Sequence, residues 1–217
     1  TRAVEPGVDA SERDLRRATA AYYGMVETVD DFFGRVMDAL EAAGEDLDEW
    51  VIVYTSDHGE MLGEHGVWEK KQFYEASARV PLVIRWPERY DPGVVEENVN
   101  LCDLYATLSD LAGLPVPDGL DSRSLVPLIE GETDGWIDET VSQYDGRNLM
   151  IKRGDLKYGY YGEGMPEVLW DLDRDPSETT NYVDDPAYAD VVERFRARRD
   201  ELGYGPDPAA GYAGAGY

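Results

Sequence analysis

Two apolar runs flank a long polar loop in residues 50–86, which read WVIVYTSDHGEMLGEHGVWEKKQFYEASARVPLVIRW. The first run, Trp50–Thr55, is short and unbroken, which is typical of a strand buried on both faces of a parallel sheet. The second, Val80–Trp86, stops before Pro87 and predicts another strand. Because α/β proteins place ligands where a polar loop leaves the C-terminal end of a core strand, the stretch predicts a layered α/β core with a site at the sheet edge.

Helical patterns lie on either side of these strands. Apolar residues recur three or four positions apart over Leu15–Leu40, which predicts an amphipathic helix. Ser11 can cap its start and Gly44 its end. A second helix is predicted at Asp103–Leu111, with Gly113 directly beyond it.

The pattern changes beyond about Gly119, where short apolar segments alternate with Gly and Asp turns and predict antiparallel strands. Helical spacing returns at Asp185–Leu202. We therefore predict an α/β core at 1–120, a small α+β subdomain of antiparallel strands and a helix at 121–203, and a flexible Gly-, Ala- and Pro-rich tail at 204–217.

Composition limits the classes of function. The chain has 217 residues, of which 42% are hydrophobic, and this is enough for a packed core. Its 46 acidic against 20 basic residues give a net charge of −26, which repels nucleic acid and anionic lipid. Such diffuse acidity is typical of proteins from high-salt organisms, although an ordinary acidic surface would also account for it. With one cysteine, no leader and no apolar run of about eighteen residues, we expect a soluble, cytoplasmic protein without an internal disulfide.

The loop contains groups that can bind a metal ion. Asp57 and His58 directly follow the first strand, and they offer a carboxylate oxygen and an imidazole nitrogen. An isolated Asp-His pair is more often a turn cap beside a loop histidine than a metal site. Lys70 and Lys71 further along the loop add ammonium groups that suit an oxyanion, but each also has the ordinary interpretation of a surface lysine.

The longer pattern favours the metal site, because it resembles a signature of the sulfatase family within the alkaline phosphatase superfamily. The matching elements are an apolar strand, Ser-Asp-His-Gly at 56–59, Leu-Gly-Glu-His-Gly at 62–66, a lysine, Tyr-Glu at 74–75 and Arg-Val-Pro-Leu at 79–82. Further segments that resemble this family are Ala20–Gly34, Leu101–Gly113, Ser124–Gly131 and Leu169–Asn181. The resemblance implies a partial alkaline-phosphatase-like core, nearest to choline-sulfatase-like or iduronate-sulfatase-like members.

The same resemblance assigns roles within the loop. It makes Asp57 and His58 metal ligands and Lys70 the catalytic ammonium that binds sulfate, with His65 as a second catalytic candidate. The implied cofactor is a divalent metal. Oxygen ligands favour calcium or magnesium, with calcium first, whereas His58 leaves manganese and zinc open. A cation and an ammonium group are needed because a sulfate ester repels an incoming nucleophile and gains charge on its oxygens during the reaction.

The nucleophile of the family is absent from the sequence. Sulfatases attack with a formylglycine made from Cys or Ser in a Cys/Ser-X-Pro/Ala-X-Arg segment, and neither Cys102 nor any serine here lies in such a segment. We therefore expect a C-terminal part of a sulfatase that is inactive alone. The missing N-terminal segment or a second chain is expected to cover its exposed core surface.

Three functions stay open at this point. The first is hydrolysis of small or sugar sulfate esters by the complete protein. The second is hydrolysis of phosphate or phosphonate monoesters, because that branch of the superfamily has similar metal ligands. The third is a non-catalytic acidic module with the shape of a sulfatase. Neither nucleic acid nor a membrane is expected as a partner.

Overall fold

The computed structural model describes residues 11–204, which fall into two compact units that divide between Gly93 and Val94. Each unit combines helices with an antiparallel sheet, so the predicted α/β class with a C-terminal helix is confirmed. The predicted flexible tail lies outside the described residues except for Tyr204. Among the residues described, no helix is long and apolar enough to cross a membrane.

The division at Gly93 differs from the boundary predicted after residue 120. The segment that leads into the second helix region hydrogen-bonds to the sheet of the second unit. The Asn98 side chain donates to Asp138 Oδ1 at 2.9 Å, and the Asn100 side chain donates to Val141 O at 2.6 Å. These contacts tie Asn98 and Asn100 to the first strand of that sheet and the residue before it, which a composition change at Gly119 could not indicate.

The first unit opens with a long helix, α1, at Glu12–Ala42. Ser11 caps it as predicted, because its hydroxyl accepts a hydrogen bond from the Asp14 N–H at 3.3 Å. Near the other end Phe33 packs edge-on against a ring of the following strand, Tyr54, with 5.8 Å between centroids. None of the residues of α1 is buried, so its apolar face is largely open within this unit.

Two short strands follow, β1 at Ile52–Thr55 and β2 at Leu82–Arg85. They pair antiparallel, with Thr55 opposite Leu82, whereas the unbroken apolar run of β1 is typical of a parallel sheet. The connecting loop contains only a 3-10 turn at Glu64–Gly66 and a one-turn helix, α2, at Glu75–Ala78. It has no helix long enough for the crossover that a parallel pair requires, and the chain returns in the opposite direction.

The second unit is a four-stranded antiparallel meander with helices before and after it. Its elements are α3 at Asp103–Leu111, α4 at Val126–Ile129, β3 at Glu139–Tyr144, β4 at Asn148–Arg153, β5 at Leu156–Tyr160, β6 at Val168–Asp171 and α5 at Ala189–Glu201. The strands lie in chain order, which short turns permit only between antiparallel neighbours. The predicted antiparallel strands and C-terminal helix are therefore confirmed.

The core of this unit lies between the sheet and α5. Tyr158 of β5 is fully buried and stacks on Phe195 of α5, with 5.6 Å between ring centroids. Its hydroxyl donates to Glu167, which also accepts hydrogen bonds from Arg196 and Arg199 of the helix. Burying each large apolar side chain stabilises the fold by about 1.5–3 kcal/mol, and the arginine–glutamate contacts fix how α5 lies on the sheet.

Candidate metal and sulfate site

The turn that follows β1 holds the first two predicted site residues. The Ser56 hydroxyl donates to the backbone oxygen of His58 at 2.8 Å. The Asp57 carboxylate accepts from the His58 N–H at 3.0 Å through Oδ1. These local bonds are typical of Asx and Ser turns, and they place both side chains at the C-terminal end of the strand.

Gly59 attaches this turn to α2. Its N–H donates to Ser77 O at 2.8 Å. A β-carbon at this position would lie 2.0 Å from Ala76 O, far inside the contact distance. The close approach of two backbones therefore requires glycine here, and it fixes the position of the backbone of the preceding residue, His58.

The imidazole of His58 has a defined orientation. Its Nδ1 lies 2.7 Å from Gly59 O, and because a carbonyl only accepts, Nδ1 carries the hydrogen. The lone pair is then on Nε2, which lies 2.6 Å from Lys70 Nζ and 3.5 Å from Asp57 Oδ2. The structure thus brings together three of the four predicted residues. Asp57 and Lys70 are exposed and His58 is partly exposed, so a ligand can approach them.

The donor set fits a divalent cation. The positively charged Lys70 ammonium group contacts the His58 Nε2 lone pair, which is the one that a metal ion would use. The Asp57 carboxylate offers a hard oxygen beside this nitrogen. Two ligands form only part of a coordination shell. Within residues 11–204, no group of three or more His, Cys, Asp and Glu side chains could hold an ion. Backbone carbonyl, amide or water oxygens, or groups outside these residues, would have to complete the shell.

The fourth predicted residue, His65, is not brought to this group. Its ring stacks on Tyr74, with 3.8 Å between centroids and 8° between planes. It has a left-handed backbone conformation, with φ of 51°. The contacts of His65 support a structural role in holding the loop, and its catalytic role stays a prediction.

Cys102 lies exposed at the start of α3 in the second unit. Partial burial of the thiol, followed by repulsion from Asp103 and Asp121, raises its pKa above the ordinary value. A raised pKa disfavours the thiolate, which is the nucleophilic form of cysteine. This agrees with the sequence, in which Cys102 does not lie in a formylglycine segment.

One residue of the loop, Glu60, was not identified from the sequence as part of the site. Its Oε1 accepts from the backbone N–H of Leu62 at 3.3 Å and from that of Glu69 at 2.7 Å. An acid two positions after His58 carries no motif of its own. The two glycines downstream, Gly63 and Gly66, were the available signal that the loop folds back on itself.

Comparison with known proteins identifies the family of this chain. The sulfatase family matches residues 2–114, and the C-terminal N-sulphoglucosamine sulphohydrolase family matches residues 63–203. A choline-sulfatase from Rhizobium meliloti (strain 1021) is 37% identical over 184 residues, which are 82% of this chain and 35% of that protein. An arylsulfatase from Clostridium perfringens is 33% identical over 199 residues, which are 86% of this chain and 40% of that protein.

Solved structures include enzymes with a similar fold. The crystal structure of a phosphonate monoester hydrolase from Agrobacterium radiobacter is similar with a TM-score of 0.79 and 36% identity, covering 89% of this chain and 42% of that one. The chain thus spans about 40% of the length of the relatives it matches. The expected likeness to choline sulfatases is confirmed, whereas a likeness to iduronate sulfatases stays a prediction. The chain belongs to the sulfatase family, with the fold of the alkaline phosphatase superfamily.

Proposed function

We propose that Asp57, His58 and Lys70 form part of a metal-dependent site that hydrolyses sulfate esters in the complete protein. The convergence of the Asp57 carboxylate and the Lys70 ammonium on His58 Nε2 is the observation that carries this proposal. A bound divalent ion, calcium first and otherwise magnesium, manganese or zinc, would supply positive charge that polarises the sulfate oxygens. Membership of the sulfatase family supports the reaction class.

Each side chain has a separate part in this proposal. Asp57 supplies an oxygen ligand, and His58 supplies Nε2, whose direction is set by the hydrogen bond from Nδ1 to Gly59 O. Lys70 has three ammonium hydrogens on an exposed four-carbon stem, which lets it turn from the imidazole to a sulfate oxygen. There it would offset charge that grows in the transition state.

The proposed nucleophile, a formylglycine, comes from residues outside this chain, since no Cys/Ser-X-Pro/Ala-X-Arg segment is present in it. We propose that a longer polypeptide or a second chain supplies that group and the remaining metal ligands. The same residues would cover the apolar face of α1, where Met25, Val29, Phe32 and Val36 recur at helical spacing and each exposes at least 50% of its surface. The chain alone is then expected to be inactive.

Hydrolysis of phosphonate monoesters is a second candidate, because the Agrobacterium structure is a phosphonate monoester hydrolase at 36% identity. Sulfate and phosphonate esters are both tetrahedral and anionic, so the same cation and ammonium group could serve either. Assays of the complete protein with an aryl sulfate and an aryl phosphonate monoester would separate the two by their ratio of kcat/KM.

Metal binding by the complete protein tests the proposal directly. Calorimetric titration with Ca²⁺, Mg²⁺, Mn²⁺ and Zn²⁺ should show one site that His58→Ala and Asp57→Asn each weaken by about tenfold or more. Lys70→Met should strengthen it, because the competing ammonium charge is removed. Glu64→Gln, at an exposed acid of the same loop, is the matched control for unspecific binding to an acidic protein. Equal binding by wild type and His58→Ala would refute the site.

A further inference from the structure

Lys70 lies at a position that the loop must fix accurately. Its side chain is exposed, and the residues before and after it, Glu69 and Lys71, have left-handed backbone conformations with φ of 69° and 72°. Residues other than glycine disfavour this conformation, so surrounding contacts must maintain it. A lysine on an unsupported loop would spend little time against a single imidazole nitrogen.

Both backbone groups of Glu69 are held by the start of the loop. Its N–H donates to Glu60 Oε1 at 2.7 Å, and its carbonyl accepts from the Met61 N–H at 2.9 Å. Met61 is fully buried, so this end of the loop is anchored. The same Glu60 oxygen accepts from Leu62 N–H, which braces a further left-handed residue, with φ of 49°.

These contacts complete a small ring of five residues. The chain runs from His58 through Gly59 to Glu60, and the Glu60 carboxylate connects to the backbone of Glu69. Lys70 follows directly, and its ammonium returns to His58 Nε2. Because Gly59 is itself attached to α2, the ring has a fixed base from which Lys70 extends.

We propose that Glu60 is a positioning residue that holds Lys70 against His58. This inference rests on the proposed function, in which those two side chains serve the metal and the sulfate. Glu60 acts as a hydrogen-bond acceptor for backbone N–H groups, and its negative charge is secondary to that role. Replacement by glutamine, which retains an acceptor oxygen, should therefore preserve the arrangement, and replacement by alanine should not.

The chain contains two histidines, so ring nitrogen NMR can report the His58–Lys70 contact without metal or substrate. At about pH 8, where an ordinary imidazole is neutral, wild type should show His58 with its hydrogen on Nδ1. Glu60→Ala should change the His58 Nε2 signal as Lys70→Ala does, because both substitutions take the ammonium group away from that lone pair, whereas Glu60→Gln and the control Glu64→Ala should match wild type. His65 serves as the internal reference.

The possible failures are distinguishable. If Lys70→Ala changes the His58 signals and Glu60→Ala does not, the role of Glu60 is refuted and the proposed function stands. If Lys70→Ala has no effect either, the His58–Lys70 contact is absent in solution and both proposals lose their basis. A measurement on wild type covers the case in which Glu60→Ala does not fold. The Glu69 amide should exchange with solvent at least about tenfold more slowly than in an unfolded chain, and exchange at the unfolded rate would overturn the inference.

Discussion

Replacing Gly59 by alanine should destabilise the first unit and disturb the candidate site together. The new β-carbon would lie 2.0 Å from Ala76 O and 2.9 Å from the carbonyl carbon of the same residue. Real β-carbons stay at least 3.0 Å from such atoms, so one backbone must move by about 1 Å. The atoms in the way belong to the main chain of α2, and no side-chain rotation can relieve the overlap.

The expected cost follows from two contributions. Overpacking of this kind costs roughly 1–3 kcal/mol. Movement away from α2 also breaks the hydrogen bond from Gly59 N–H to Ser77 O, worth about 0.5–1.5 kcal/mol. We therefore expect a loss of about 1.5–4.5 kcal/mol in the free energy of unfolding. Because Asp57 and His58 lie in the same turn, their affinity for a divalent metal should fall as well.

Urea denaturation followed by tryptophan fluorescence measures the stability, and calorimetric titration measures metal binding. Gly24→Ala is the matched control, since it makes the same chemical change in the middle of α1, where no atom lies within 4 Å of the new carbon. That control should stabilise the protein by about 0.5–1 kcal/mol. If Gly59→Ala unfolds at the wild-type urea concentration, the argument from backbone contact is incorrect.

Two further predictions concern the second unit. Glu178→Gln should cost about 3–5 kcal/mol in urea denaturation, because it removes the carboxylate that pairs with the fully buried ammonium of Lys157, and adding Lys157→Met should recover most of the loss. A cost below 1 kcal/mol would contradict the ion pair. Burial alone would raise the pKa of Glu167, but hydrogen bonds from Arg196 and Tyr158 hold this pKa below the ordinary 4.5. The ionised carboxylate therefore stabilises the fold above pH 4.5, and this stabilisation is lost as the pH falls through the lower pKa of the folded state. Glu167→Gln should therefore flatten the dependence of thermal stability on pH in this acidic range, and an unchanged slope would show that the carboxylate is unpaired.

The sequence predicted the elements of the fold better than their arrangement. The three-and-four spacing of apolar residues and the capping hydroxyl of Ser11 located α1, since both signals are local. The direction of β2 relative to β1 could not be predicted, because an apolar run has the same composition in parallel and antiparallel sheets. Asn98 and Asn100 are held in the second unit by hydrogen bonds to residues about forty positions further along the chain, which no local pattern encodes.

The candidate site shows the same contrast. Asp57 and His58 are adjacent in sequence, and the family pattern predicted that Lys70 lies near them. The side chains of Asp57 and Lys70 both lie close to His58 Nε2. Glu60 could not be identified, because its partners are backbone N–H groups that every residue except proline possesses. His65 carries the right chemistry for a site, yet a backbone φ of 51° and the ring of Tyr74 determine where it lies.

The loop after β1 should tolerate exchange of residues better than any change in its length. Four of its side-chain-bearing residues, Leu62, His65, Glu69 and Lys71, have positive φ. A single inserted or deleted residue would transfer each of these unusual conformations to a different amino acid and would break the pairing of Met61 with Glu69. Proteins that share this arrangement should consequently differ in the loop by substitutions, and the length of the loop should stay the same.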